Sequence, residues 1–263
     1  MRVTLLGTGG SAGVPMIGGA DGRGDWGVCD PAEPRNRRTR ASIAIDGGAG
    51  DVLLVDTPPD MRQQLLACGI ARVAAVLYTH AHADHVTGLD DVRLLNRVMG
   101  QPLDAYGTKT TLAELDQRFG YAFRPWQPPN FFRPVLVPRP VSPDATILAA
   151  GLSVRLFDQD HGFTRSLGLR VGGFGYSTDA VDLDATAFEI LAGVDTWVVG
   201  CFQRGEHRTH AWLDRVLGWV ERLQPRRTVL THMGTDMDWA WLRSALPSGV
   251  EPGFDGQVLE LAD

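Results

Sequence analysis

The chain has 263 residues, a formal charge of −6 and an ordinary globular composition, 44% apolar and 21% charged. That size fits one large domain or two small ones, with enough chain to bury a substantial core. An acidic chain with no block of five or more like charges is not a general nucleic-acid binder.

No apolar stretch approaches the ~18 residues that cross a bilayer, and Val3–Leu6 is too short for the apolar core of a signal peptide. Cys29, Cys68 and Cys201 form an odd, widely spaced set without a CxxC pair. They read as free thiols of a reducing compartment, so a cytoplasmic protein is expected. Lys109 is the only lysine, and the remaining cations are Arg, which suits bidentate contacts to phosphate.

Val3–Leu6, Ser42–Ile45 and Val52–Val55 have the composition of strands, and Gly47-Gly48 marks a hairpin turn between the last two. Pro59–Cys68 reads as a short helix stopped by Gly69, and Val73–Tyr78 as a buried strand. A helix is expected over Asp90–Met99, and further strands at Val154–Phe157, Leu167–Val171, Thr196–Val199 and Thr228–Leu230. Between the last two, His210–Leu223 reads as a helix, with Leu213, Val216, Leu217, Val220 and Leu223 on one apolar face. Two β-rich halves with interspersed helices predict an α/β four-layer sandwich of two packed sheets flanked by helices. No linker divides residues 1–263, so one domain is expected.

Gly120–Val141 is set apart by Pro125, Pro128, Pro129, Pro134, Pro138 and Pro140, interleaved with Tyr121, Phe123, Trp126, Phe131 and Phe132. Proline at that density forbids a helix or a central strand. Such an insert serves as a substrate lid, a homodimer arm or an irregular cover over the core.

The buried strand at Val73–Tyr78 runs directly into Thr79-His80-Ala81-His82-Ala83-Asp84-His85. Strand alternation puts His80 and His82 on one side, where both imidazoles reach one cation. The turn that follows presents Asp84 and His85 to a second position. Imidazole with carboxylate suits Zn²⁺, Mn²⁺ or Fe²⁺. His161 ends the run Leu156–Asp160, His232 follows Val229–Thr231, and Asp179 follows Gly175–Thr178. All three sit at strand C-terminal ends, where sites of layered α/β folds collect. These five His and two Asp are a sensible complement for two divalent ions sharing a bridging carboxylate.

His80-x-His82-x-Asp84-His85, followed in order by His161, Asp179 and His232, resembles the metallo-β-lactamase superfamily over nearly the whole chain. The resemblance implies an αββα sandwich. It also implies one metal on His80, His82 and His161, a second on Asp84, His85 and His232, and Asp179 bridging. A His at 82 is similar to the superfamily's hydrolases; the oxygen-reducing diiron branch carries Glu there.

Two further segments point to phosphate. Gly7-Thr8-Gly9-Gly10-Ser11-Ala12-Gly13-Val14-Pro15 would let backbone N–H groups approach an anion. His207 and His210 are the two histidines outside the metal set. Either suits a general acid for the alkoxide leaving group of a phosphodiester; the alternative is a helix cap with Thr209 as N-cap. Together these segments resemble the cyclic phosphodiesterase branch that opens 5-phosphoribosyl 1,2-cyclic phosphate. That resemblance makes His210 the proton donor, with His207 as second choice, and Asp84 completes the expected catalytic set. The branch carries a Cys cluster holding a structural zinc, whereas here Trp26–Pro31 keeps only Cys29. Asn36-Arg37-Arg38-Thr39-Arg40 follows, as a phosphate contact or a solvated loop.

The expectation is therefore a binuclear phosphodiesterase for a small cyclic phosphate or nucleotide-like substrate, with no membrane or nucleic-acid partner. The alternatives are a tRNA 3′-processing nuclease, a lactonase, or a non-catalytic nucleotide-binding relative. The first of these normally grips RNA with a basic arm, and the insert offers only Arg124, Arg133 and Arg139.

Overall fold

The computed structural model describes residues 1–261. Its elements begin with β1 (Arg2–Gly7), β2 (Ser42–Asp46), β3 (Val52–Val55), α1 (Met61–Ala67), β4 (Val73–Leu77), α2 (Ala83–Val86), α3 (Val92–Met99), β5 (Leu103–Thr108), α4 (Lys109–Phe119) and β6 (Leu136–Val141). They continue with β7 (Thr146–Ala149), β8 (Leu152–Asp160), β9 (Arg165–Val171), β10 (Phe174–Ser177), α5 (Ala185–Leu191), β11 (Thr196–Gly200), α6 (Leu213–Leu223), β12 (Arg227–Thr231), α7 (Trp239–Ala245), β13 (Val250–Pro252) and β14 (Val258–Glu260). One seven-stranded sheet runs β14-β1-β2-β3-β4-β5-β6, and a second runs β13-β12-β11-β10-β9-β8-β7.

The side-chain pattern decides the layers. Val3, Leu5, Ile43 and Leu53 of the first sheet meet Val154, Leu156, Leu169 and Tyr176 of the second in a central core. The outer face of the first sheet packs through Leu54, Val76 and Ala105 on Leu65 of α1, Leu95 of α3 and Leu112 of α4. The second packs through Trp197, Val199 and Leu230 on Leu191 of α5, Val216 of α6 and Leu242 of α7. This is the αββα sandwich. Covered on both faces, β3 and β11 are buried along their whole length or nearly so, which is why they read as unbroken apolar runs.

Local departures from the expected elements have physical causes. The helix expected from His210 starts at Leu213, with Trp212 in extended backbone at its N-cap. Residues before it are held extended by sheet-like bonds: Ala211 N–H donates to Ala180 O (2.6 Å) and Phe202 N–H to Ala211 O (2.9 Å). Thr209 is therefore not the cap. The irregular insert is also shorter than expected, because Gly120–Phe123 forms a 3-10 turn and Leu136–Val141 forms β6. Pro138 and Pro140 are accommodated because β6 lies at the sheet edge, where a missing N–H costs nothing. Between these, Trp126 stacks on buried Phe131 at 4.5 Å, and Arg97 Nε donates to Phe131 O (3.1 Å), fastening the insert to α3.

The Gly7–Pro15 loop is not an open anion cradle. Its N–H groups at Gly9, Gly10, Gly13 and Val14 donate to carbonyls of Thr39, Met233, Gly10 and Arg38. Its small residues serve close packing instead: a Cβ on Gly10 would stand 2.8 Å from the Phe202 ring. Arg38 is neither solvated nor a phosphate contact. It is buried, with Nη2 donating to Met237 O (2.6 Å) and Asn36 Oδ1 (3.3 Å) and Nη1 to Gly234 O (3.3 Å), beside Cys29. No helix among the described residues is long and apolar enough to cross a membrane.

Asp255 ties these loops together. Its carboxylate accepts from Thr8 N (2.8 Å), Thr8 Oγ1 (2.8 Å), Thr39 N (2.7 Å) and Thr39 Oγ1 (2.6 Å). Hydrogen bonds to a buried charge are among the stronger ones, so Asp255→Ala should lower stability by ~2–3 kcal/mol. Urea unfolding checks this, and an unchanged midpoint would show that the clasp carries no stability.

Candidate metal centre

The site forms where strands of both sheets end. Beyond β4 the chain leaves the sheet, His82 (φ −64°, ψ 150°) caps α2, and α2 carries Asp84 and His85. His161 follows β8, Asp179 lies two residues beyond β10, and His232 follows β12 directly. All seven residues expected to ligate metal are thus brought to one place. His80, His85, His161, Asp179 and His232 are almost completely buried there.

Donor atoms cluster in overlapping groups whose members lie within 4.8 Å of one another: His80, His82 and His161; Asp84, His85 and His232; His80, His85 and Asp179; and His161, Asp179 and His210. Asp179 stands between them. Its Oδ1 lies 3.2 Å from His232 Nε2, 3.0 Å from His210 Nε2 and 3.6 Å from His161 Nε2, while Oδ2 lies 3.0 Å from His85 Nε2. His207 stands behind His210, its Nδ1 3.2 Å from His210 Nδ1, and joins none of the clusters.

These residues fit divalent ions. Nε2 of His80, His85 and His232 are buried without a well-formed hydrogen bond, although Asp179 lies close to the last two, a costly arrangement unless a cation takes one lone pair from each ring. Burial holds His80, His82 and His161 below the usual histidine range, His161 at about 4, so these rings stay neutral as metal binding requires. Burial opposes ionisation of Asp179, but His232 and His85 outweigh it and keep the carboxyl well below its usual value. Burial likewise opposes a charge on His85, yet flanking Asp179 and Asp56 raise it well above normal. The pocket therefore demands positive charge.

A second ring of contacts fixes the donors. Asp56 Oδ2 accepts from His85 Nδ1 (2.7 Å) and Thr79 Oγ1 (2.8 Å), and its Oδ1 accepts from Thr79 N (2.8 Å). His161 Nδ1 donates to Thr209 O (2.7 Å), leaving Nε2 to face the site. Arg118 of α4 donates to the carbonyl of Ala81, between His80 and His82. Asp56, Asp179 and His232 leave their strands at φ 65°, 50° and 53°, a left-handed backbone that costs ~1–3 kcal/mol each and persists where surroundings enforce it. Sequence reasoning missed Asp56, although a polar residue ending the apolar run Val52–Val55 is the cue that picked out His232. Arg118 had no such signal, since β5 and α4 were not foreseen.

Residues 52–233 match the family described as Beta-lactamase superfamily domain. The chain belongs to the β-lactamase superfamily. A diphosphatase from the PhnP family has a crystal structure that superposes with a TM-score of 0.88 at 32% identity, covering 99% of this chain and 98% of that one. Zn²⁺-bound PqqB from Methylobacterium extorquens shares the fold at a TM-score of 0.73 and 19% identity, over 99% of this chain and 100% of that one. An octanoyltransferase of Porphyromonas gingivalis is 33% identical over 97% of this chain, which spans only 51% of that protein's length. The superfamily, the diphosphatase likeness and the His/Asp clusters support a metal-dependent hydrolase.

Two measurements follow. Stripped protein should gain thermal stability on adding Zn²⁺ or Mn²⁺, and Asp56→Ala should weaken that binding ~10–100-fold, as loss of a residue supporting a ligand does. Because folding lowers the His161 pKa from about 6.5 to about 4, the unfolded state binds more protons between those values. Metal-free protein should then lose stability as pH falls through that window, and His161→Gln should lose less; equal losses in urea unfolding would refute the assignment.

Proposed function

We propose that the chain is a binuclear metal-dependent phosphodiesterase acting on a small cyclic phosphate or nucleotide-like phosphodiester, of the kind of 5-phosphoribosyl 1,2-cyclic phosphate. His80, His82 and His161 would hold one ion, Asp84, His85 and His232 the other, with Asp179 shared. Two divalent ions so held supply water of lowered pKa and Lewis acidity towards phosphoryl oxygens.

The observation that carries the phosphodiester reading is His210. Its Nε2 reaches Asp179 Oδ1 at 3.0 Å, its ring stacks on His232 at 5.0 Å and on Phe202 at 4.9 Å, and it is only partly buried. Thr209 N–H donates to His207 Nδ1 (3.3 Å), and His210 Nδ1 lies 2.9 Å from Thr209 Oγ1 and 3.2 Å from His207 Nδ1. His207 thus orients His210, and His210 is the proton donor. Hydrolysis of a cyclic phosphodiester forms a P–O bond to the oxygen of water, breaks the P–O bond to one ring oxygen and leaves an alkoxide, which a positioned imidazole N–H can protonate.

A cavity of about 580 Å³ opens beside His80 and Ala81, and we infer that it receives the part of the substrate remote from His210. Of its charged lining, Glu114 is engaged by Arg118 (2.8 Å) and Asp158 by Arg165 (2.6 Å), while Lys109 has no ion pair among the described residues.

The test is turnover of cyclic ribose phosphates and bis(p-nitrophenyl) phosphate by Zn²⁺- or Mn²⁺-loaded protein; no turnover of either would overturn the proposal. His210→Ala should cut kcat ~10²–10³-fold on an alkyl leaving group, and far less on p-nitrophenolate, which departs without a proton. Lys109→Ala should raise KM for phosphate-bearing sugars ~tenfold, about 1.4 kcal/mol, with kcat little changed.

A further inference from the structure

Gln159 and Ser166 are polar residues near the turn that joins β8 to β9, with essentially no solvent exposure. They face each other directly across the antiparallel pair β8–β9. Gln159 Nε2 donates to Ser166 Oγ (3.0 Å) and to Thr178 O (2.9 Å), and Ser166 Oγ donates to Asp179 O (2.9 Å). Two side chains from neighbouring strands thus grip consecutive backbone carbonyls beyond the end of β10. That turn is the one where Asp179 adopts φ 50°. Thr178 Oγ1 completes the arrangement by donating to Asp179 Oδ2 (2.7 Å).

The orientation of the amide is informative. Thr178 O can only accept, so the NH₂ group of Gln159 must face it, and this leaves Gln159 Oε1 buried with no partner. An apolar side chain would avoid that cost. The residue is therefore present for its two donors, and both act on the Thr178–Asp179 turn.

We propose that Gln159 and Ser166 are positioning residues for the Asp179 carboxylate. They hold the strained turn so that Oδ1 faces His161 and His232 while Oδ2 faces His85, and so set the affinity of the centre for both ions. The inference rests on Asp179 being the shared ligand.

Calorimetric titration of the metal-free protein with Mn²⁺ tests it, beside the Tm of the metal-free form. Gln159→Met and Ser166→Ala should each weaken Mn²⁺ binding at least ~tenfold, with the metal-free Tm lowered by only a few degrees. Ser166→Thr, which keeps the hydroxyl, should restore affinity. Ser166→Ala removes a single oxygen and keeps the test decisive should Gln159→Met fail to fold. Affinities within about threefold of wild type, or a loss that merely tracks a lowered metal-free Tm, would overturn the proposal. Wild-type protein that binds Mn²⁺ while the variants bind it equally well refutes this inference alone. Wild-type protein that binds no metal refutes the site assignment and this inference with it.

Discussion

Asp179 has two carboxylate oxygens and several claims on them. His85 and Thr178 press on one, and His161, His210 and His232 approach the other. A buried carboxylate in such company must be held at a fixed height and angle, because a rotation of its plane would favour one neighbour over the rest. Both sheets contribute to that restraint. The first brings the His80–His85 segment from β4, with Asp56 from β3 behind it. The second brings His161, Asp179 and His232 from three different strands. The central core locks the sheets in register, so donors carried on rigid elements of both sheets converge on one place.

Much of this was legible in the sequence because chemistry and position coincided. A strand that is apolar throughout and then breaks into His80-x-His82-x-Asp84-His85 announces both its burial and its exit. His161, Asp179 and His232 were legible on the same ground. The edge strands β7, β13 and β14, and β5 inside the first sheet, were not: they are short or alternate with polar residues, and their strand character comes from the neighbours that pair with them. The edge strand β6 was hidden by its prolines, which disqualify a central strand but not an edge one.

Two motifs carried a meaning in sequence that the fold spends differently. Glycines at 7–13 and arginines at 37–40 look like ligand-binding chemistry when read alone. In three dimensions the glycines let a loop lie against Phe202 and Thr39, and Arg38 fills a buried niche beside Cys29. Composition tells which contacts a segment can make. Only the tertiary partners tell whether solvent, ligand or protein receives them.

Strand β14 pairs with β1, Val3 facing Leu259, although the two are separated by nearly the whole chain. Asp255 reaches back to Thr8 and Thr39 over a similar separation. During synthesis, then, the first sheet exposes an unpaired edge at β1 until residues 255–260 leave the ribosome, even though most of its strands are made early. The nascent protein must carry that edge while the second sheet is still being built. Pairing of the late segment with the first strand is a closure over a long stretch of chain, the kind of contact that forms slowly.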